Sequence, residues 1–358
     1  REGTGINPMR GQNNIQGAGD CGAVPANYPG FQAVGDPANR EKFEKLYGRE
    51  MDPNKGITKV TALNRCGDQI KAILIDGENT VVTDPDRKHC EHALKSLDHL
   101  VVIDIFLTET GRLADIVLPA TAFGETDGVQ TNTERRVQRL RAAVPPAGQA
   151  KPDWWIVSQI ARRIGIPGFE FESAKEVFNE LCSLSPIYAG LDWDRIDKSE
   201  YIWPVPHKDH PGTPILHQGE FKNGRGIFKV IGYRDPAETI SDSFPVWLTT
   251  GRRLESYHSR TQTGRSGGID YLLSRETLEV HPGDVSEWGL KDGEPCRMSS
   301  ARGSIEIIIE ATTQSPRGTV FASFSFDDVP VNILTGSGYD PVTETAELKV
   351  CPVRIEAI

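Results

Sequence analysis

Leu100-Val101-Val102-Ile103-Asp104-Ile105-Phe106 decides the fold class. The run is almost wholly apolar and too short for a buried helix, so it reads as a strand covered on both faces. Two stretches share its character. Ile70-Lys71-Ala72-Ile73-Leu74-Ile75-Asp76 stops at Gly77-Glu78-Asn79, and Ala114-Asp115-Ile116-Val117-Leu118-Pro119 follows further on. Residues 89–97 between them carry a helical pattern. Continuous apolar strands alternating with short helices predict an α/β fold built on a parallel sheet. Ligands of such sheets sit at the carboxyl ends of the strands, here residues 77–79, 104–108 and 119–128.

Outward from this core, Pro37–Tyr47 and residues 153–164 are helices; the second has Trp154, Ile156, Val157, Ile160 and Ala161 at helical spacing. Residues 174–181 form another. Residues 183–245, rich in Pro, Gly, Asp and His, read as a connection with short hairpins at 219–231. Tyr201–Pro206 interleaves aromatics with prolines, as packing segments do. From Val246 short strands dominate (246–250, 277–280, 296–299, 304–311, 319–323 and 346–355), separated by turns such as Asp292-Gly293 and Arg302-Gly303. Their regular spacing predicts a small β-barrel. The expected organisation is an α/β domain over 1–170, a connecting segment over 171–244 and a C-terminal barrel over 245–358.

Composition narrows the partners. The net charge is −10, and 37% of the 358 residues are hydrophobic. An acidic chain without a basic face argues against nucleic acid. No apolar run is long enough for a membrane span. Cys21, Cys66, Cys90, Cys182, Cys296 and Cys351 are scattered without a C-x-x-C pair, which excludes a local zinc ribbon or iron–sulfur run. They point to a reducing, cytoplasmic setting. Beginning at Arg1 in a glycine-rich loop, the sequence reads as the middle of something larger.

Four constellations carry chemistry. In residues 7–23, which show no helical or strand period, glycines and the amides of Gln12, Asn13, Asn14 and Gln16 surround Arg10. Glycine permits close backbone approach, and a guanidinium beside an amide holds a carboxylate; a surface turn has the same composition. Asp104 at a strand end can accept hydrogen bonds from a guanine edge, with Thr108 in reach of the same ligand, or it can cap a helix. Thr131-Asn132-Thr133 precedes Glu134-Arg135-Arg136, which suits either a polar phosphate ligand or a solvated basic helix end. In residues 249–264, Gly251 ends a strand and Arg252, Ser256, His258 and Thr261 follow, as in a loop that cradles pyrophosphate. His258 lacks a nucleophile or a metal-spaced partner, so it reads as a ligand-contacting or buried residue. Asn332, Tyr339 and Lys349 carry no signal alone.

In order along the chain, Met-Arg-Gly-Gln-Asn-Asn-Ile-Gln-Gly-Ala, Val-Val-Ile-Asp-Ile-Phe-Leu-Thr-Glu-Thr, Ala-Asp-Ile-Val-Leu-Pro-Ala, Thr-Asn-Thr-Glu-Arg-Arg-Val-Gln, Thr-Thr-Gly-Arg and Lys-Val-Cys-Pro-Val-Arg-Ile-Glu resemble the C-terminal half of a formate dehydrogenase catalytic subunit of the molybdopterin oxidoreductase family. The resemblance implies two molybdopterin guanine dinucleotides around one molybdenum or tungsten, and oxidation of formate to CO₂ or the reverse. It implies a double-psi-like barrel at the C-terminus. Arg10 falls on the arginine that orients formate and Gln12 on the adjacent amide. Asp104, Thr108, Thr131, Asn132, Gly251, Arg252, His258, Thr261, Asn332 and Lys349 fall on cofactor-binding positions. Some relatives carry a histidine where this chain has Ser256. The family's [4Fe–4S] cysteines and its Cys or selenocysteine metal ligand belong to an N-terminal half that this sequence lacks, so no residue here is assigned as a metal ligand. Implied partners are that half, iron–sulfur or flavin electron-transfer subunits, and formate or CO₂. The rival readings are another bis-pterin oxidoreductase, such as an assimilatory nitrate reductase, and a non-catalytic cofactor-binding subunit.

Overall fold

The computed structural model describes residues 7–9, 11–221 and 223–358. Arg10, the expected formate anchor, lies outside the described residues. The chain forms two compact units. One combines the described residues up to Thr58 with Leu118–Ile231; the other combines Lys59–Val117 with Gly232–Ile358.

In the second unit the parallel sheet is present. Ala72–Asp76 pairs in parallel with His99–Asp104, from Ala72 opposite His99 to Asp76 opposite Ile103. Ile116–Pro119 completes the sheet beside His99–Asp104. Helix Arg87–Lys95 buries Cys90, Ala93 and Leu94, which fall on one face at i, i+3 and i+4. They pack with Leu63, Val81, Leu100 and Val102. The same unit carries the barrel. Around it run Thr277–Val280, Ser304–Ala311, Pro295–Ser299, Cys351–Ala357, Val246–Gly251 and Thr319–Ser323, the last closing on the first through Phe321 opposite Glu279. Two strand pairs are parallel, 277–280 with 308–311 and 246–251 with 319–323; the others are antiparallel. Strand period two sets its interior: Ile305, Ile307 and Ile309 are buried while Glu306 and Glu310 face out. Leu248, Leu278, Val280, Met298, Val320 and Val353 fill the rest. Burying each such side chain contributes roughly 1.5–3 kcal/mol before entropy is counted.

The first unit departs from the sequence reading in three places. The basic stretch after Asn132 is a strand: Gly128–Thr131 and Arg136–Leu140 form an antiparallel hairpin, extended by Tyr201–Ile202. Val137, buried at its centre, anchors this sheet. Residues 174–205 supply the unit's core. Helix Ala174–Leu184, capped by Ser173 on the Glu176 N–H, brings Phe178 and Cys182 against Tyr188, Leu191, Ile196, Trp203 and Val205. Thus part of the expected connection is interior, while among the described residues of 219–231 a single bridge, Phe221 to Gly224, stands in place of hairpins. Finally, Ile15–Asp20 is a helix inside the glycine-rich loop that shows no period. Its supports are tertiary hydrogen bonds, which periodicity does not reveal.

Candidate functional site

The barrel rim of the second unit gathers one group of the expected ligand residues. Gly251 ends its strand opposite Ser323. A Cβ there would lie 2.5 Å from Cε2 of Phe321, so any side chain at this position displaces that ring. The two arginines that follow diverge. Arg253 turns inward: its guanidinium donates to Glu276 at 3.1 Å, Glu279 at 2.7 Å and the Thr277 carbonyl at 2.8 Å. Glu276 is buried and also accepts from the Ser323 N–H at 3.0 Å and from its hydroxyl. Arg252 is exposed, and among the described residues no hydrogen bond or ion pair holds its guanidinium.

A lysine and a histidine share that rim. Lys349 is exposed and donates to the Thr250 carbonyl at 2.6 Å. Burial lowers its pKa, and the charge of Arg252 lowers it further. His258 has a left-handed backbone (φ 53°) and sets its ring edge-on to Phe324. Its pKa is pushed below the usual imidazole value of 6.5, first by burial and then by Arg252. Arg252 therefore disfavours the protonated forms of both His258 and Lys349, a field that an anion relieves. Ser256, between them in sequence, is buried with a hydroxyl that has no partner among the described residues. Thr261 is half-buried, its hydroxyl 2.9 Å from that of Ser259.

The strand ends of the same unit lie next to this loop. Arg265 places its guanidinium 4.4 Å from the Phe106 ring centroid. Lys59 bridges Glu78 and Asp84, at 2.5 Å each, and both Lys59 and Glu78 act on His258. Asp104 is half-buried; its Oδ1 accepts from the backbone N–H of Ile105 at 2.7 Å and of Phe106 at 3.4 Å, shaping the turn. Thr108 is buried, and its hydroxyl accepts the Gly111 N–H at 3.1 Å. Asn332 is buried too, donating to the Val82 carbonyl at 2.8 Å. The polar atoms of Thr108 and Asn332 are thus spent on the backbone that borders the rim.

In the first unit, Gln12 is half-buried in the opening loop. Thr131 is buried, its hydroxyl 2.8 Å from that of Tyr188. Asn132 turns the hairpin by accepting the N–H groups of Glu134 at 3.1 Å and Arg136 at 3.0 Å. The arginines suggested as phosphate ligands are engaged elsewhere. Arg135 donates to the carbonyls of Trp203, Thr213 and Pro214, and Arg136 pairs with Glu134 and Glu200. The turn, where Arg135 is left-handed (φ 72°), and the strand that begins at Arg136 direct them toward neighbouring elements of the unit. Sequence reasoning missed Tyr188, which stands in the expected connection, and Arg253 with Glu276; neither carries a local motif.

The residues at the rim fit a dinucleotide: an exposed guanidinium, a lysine, a histidine with a depressed pKa, an unspent hydroxyl and a glycine with no room for a side chain. Among the described residues no group of three His, Cys, Asp or Glu side chains could hold a metal ion, and no helix is long and apolar enough to cross a membrane. Residues 2–163 match the family model described as molybdopterin oxidoreductase, and residues 246–352 match that of a molybdopterin dinucleotide binding domain. The chain is 44% identical over its full length to the alpha subunit of formate dehydrogenase 2 of Methanococcus maripaludis, covering 53% of that protein. It is 42% identical to the formate dehydrogenase alpha subunit of Methanocaldococcus jannaschii, with the same coverage. Formate dehydrogenase H of Escherichia coli is 33% identical over 99% of this chain and 50% of its own length. The chain thus spans about half the length of the curated relatives it matches. The acetylene hydratase of Pelobacter acetylenicus has the same fold, with a TM-score of 0.66 at 18% identity over 91% of this chain and 50% of its own. The chain belongs to the molybdopterin oxidoreductase family.

Proposed function

We propose that this chain is the C-terminal half of a formate dehydrogenase catalytic subunit, interconverting formate and CO₂ at a molybdenum or tungsten centre held by two molybdopterin guanine dinucleotides. The likeness to formate dehydrogenase alpha subunits along the whole chain carries the reading. The rim geometry supports its cofactor side. Residues 1–170 and 245–358 carry the two cofactor-binding regions, and 171–244 runs between them with its stretch 174–205 packed into the core of the first unit. The partners are the remaining half of the subunit, with its [4Fe–4S] cluster, and iron–sulfur or flavin subunits that carry electrons onward. Six free cysteines support a reducing, cytoplasmic setting.

Formate oxidation releases CO₂, one proton and two electrons, and the metal–pterin group supplies the two-electron acceptor. This chain's residues bind and orient. Arg252 and Lys349 neutralise dinucleotide phosphates, and His258 gains charge as an anion arrives. Ser256 and Thr261 offer hydroxyls beside them. Asp104 meets the guanine edge. Thr108, Asn332, Thr131 and Asn132 hold the surrounding backbone. Arg10 clamps the formate carboxylate and Gln12 lines its site, which lowers the barrier by positioning.

The test uses the full-length subunit with artificial electron carriers, assaying formate oxidation and nitrate reduction. Arg10→Ala is expected to raise the formate KM strongly while metal and guanine nucleotide content hold. Normal formate kinetics in that variant overturns the role of Arg10. Nitrate turnover without formate turnover replaces the reading with the nitrate-reductase one. A full-length subunit free of metal and nucleotide favours a non-catalytic role.

A further inference from the structure

We infer that Asn14, Gly17, Asp20, Thr131 and Tyr188 form a positioning device that holds the opening loop and so sets substrate affinity without touching substrate. The helix Ile15–Asp20 has only six residues, too few to be stable by itself. The residue before it does not cap it: the side chain of Asn14 makes no bond to the helix. Instead Asn14 Oδ1 accepts the Thr131 N–H at 2.8 Å, from the end of the hairpin strand. Gly17 makes room for that bond. A Cβ there would lie 2.2 Å from Asn14 Oδ1 and 3.2 Å from the Thr131 nitrogen.

The far end of the helix is tied to the same place. Asp20 is fully buried; its Oδ2 accepts the Tyr188 O–H at 2.6 Å, and its Oδ1 accepts Gln16 Nε2 at 2.8 Å. Because the Tyr188 proton goes to Asp20, the Thr131 hydroxyl must donate to Tyr188 Oη, 2.8 Å away. Hydrogen bonds thus run Asn14–Thr131–Tyr188–Asp20–Gln16, holding both ends of one short helix. Asn14, Gly17, Thr131 and Tyr188 line a cavity of about 310 Å³ with Phe178 and Leu181 among its walls. These polar bonds border the cavity together with the Gly30 N–H donated to the Asp20 carbonyl at 2.7 Å, and losing one strands buried polar groups.

The consequence for affinity rests on the formate reading, since the loop that leads into Asn14 contains Gln12 and Arg10. Misplacing a substrate-binding group by about 1 Å costs on the order of a hundredfold. In the full-length enzyme, Asn14→Leu, Gly17→Ala and Tyr188→Phe are each expected to raise the formate KM about tenfold or more. Metal and guanine nucleotide content should hold, and amide exchange over residues 15–21 should quicken. Asn14→Asp keeps the acceptor oxygen and should restore both KM and protection. Unchanged KM and unchanged exchange in the three disruptive variants overturn the inference. So does loss of cofactor in all of them without rescue by Asn14→Asp, which makes the network merely structural. If Arg10→Ala leaves formate kinetics normal, the formate reading fails by itself, while the exchange measurement still decides whether the clamp exists.

Discussion

The opening loop and the barrel rim are written in the same vocabulary, glycine with arginines, amides and hydroxyls, yet the fold uses them in opposite ways. At the rim, strand geometry sends Arg253 inward to Glu276 and leaves Arg252 in solvent beside His258 and Lys349. In the opening loop, Gln16 and Asp20 turn inward and bond to each other and to Tyr188, while Asn14, itself exposed, accepts the N–H of buried Thr131. A polar residue is a ligand contact or a clamp according to what its fold neighbours already satisfy. Composition does not distinguish the two, because the cost of an unpartnered buried polar group and the availability of an exposed one are tertiary quantities.

The sharpest way to break the contrast is at the two neighbouring arginines. Arg253→Ala strands the buried carboxylate of Glu276 and is expected to cost about 3–5 kcal/mol of stability, read by denaturant unfolding of the full-length subunit. If it behaves like a surface change, the inward–outward division at the rim is wrong. Next comes Gly251→Ala, whose Cβ meets the Phe321 ring; overpacking of this kind costs about 1–3 kcal/mol. A thermal shift should detect it, and a neutral result means that Phe321 moves freely. Arg252→Ala is expected to change stability by under about 0.5 kcal/mol. Its effect should appear as guanine nucleotide lost from the purified protein on dialysis, and full retention removes Arg252 from the dinucleotide site.

The smallest expected effect is on pH. His258 resists protonation in the free protein, with its pKa below 6.5. A phosphate beside it favours the protonated form, so binding takes up a proton and dinucleotide affinity rises as pH falls through and below that value. The same depression means that His258 costs stability once the pH drops below 6.5, where the unfolded chain binds the proton more readily. Titrating nucleotide retention between pH 5 and 8 should show the slope in the parent protein (about one proton at most) and none in His258→Gln. A slope that persists in the variant assigns the titration to another group.

Much of the fold was legible. The apolar run at 99–104 and the alternating Ile305, Ile307 and Ile309 announce strands because burial leaves a direct mark on residue choice; 72–76 is a strand as well, although Leu74 is exposed and Ile73 and Ile75 are only half-buried. Strands 277–280, 304–311 and 319–323 fall where their turn residues place them. The strand after Asn132, the helix at 15–20 and the core role of Tyr188 were not legible, because each depends on partners far away in the chain.

The sequence by itself determined the central strand of the sheet, the barrel strands up to 319–323 and the glycine that ends the strand at residue 251, since local periodicity and backbone sterics act within a few residues. The last barrel strand lies at Cys351–Ala357 instead of 346–355. Tertiary structure alone decided which of Arg252 and Arg253 meets solvent, which polar atoms of Thr108, Thr131 and Asn332 are already spent, and how Tyr188 ties down the opening loop. Hydrogen-bond satisfaction and burial are properties of neighbours in space, and only the folded chain chooses those neighbours.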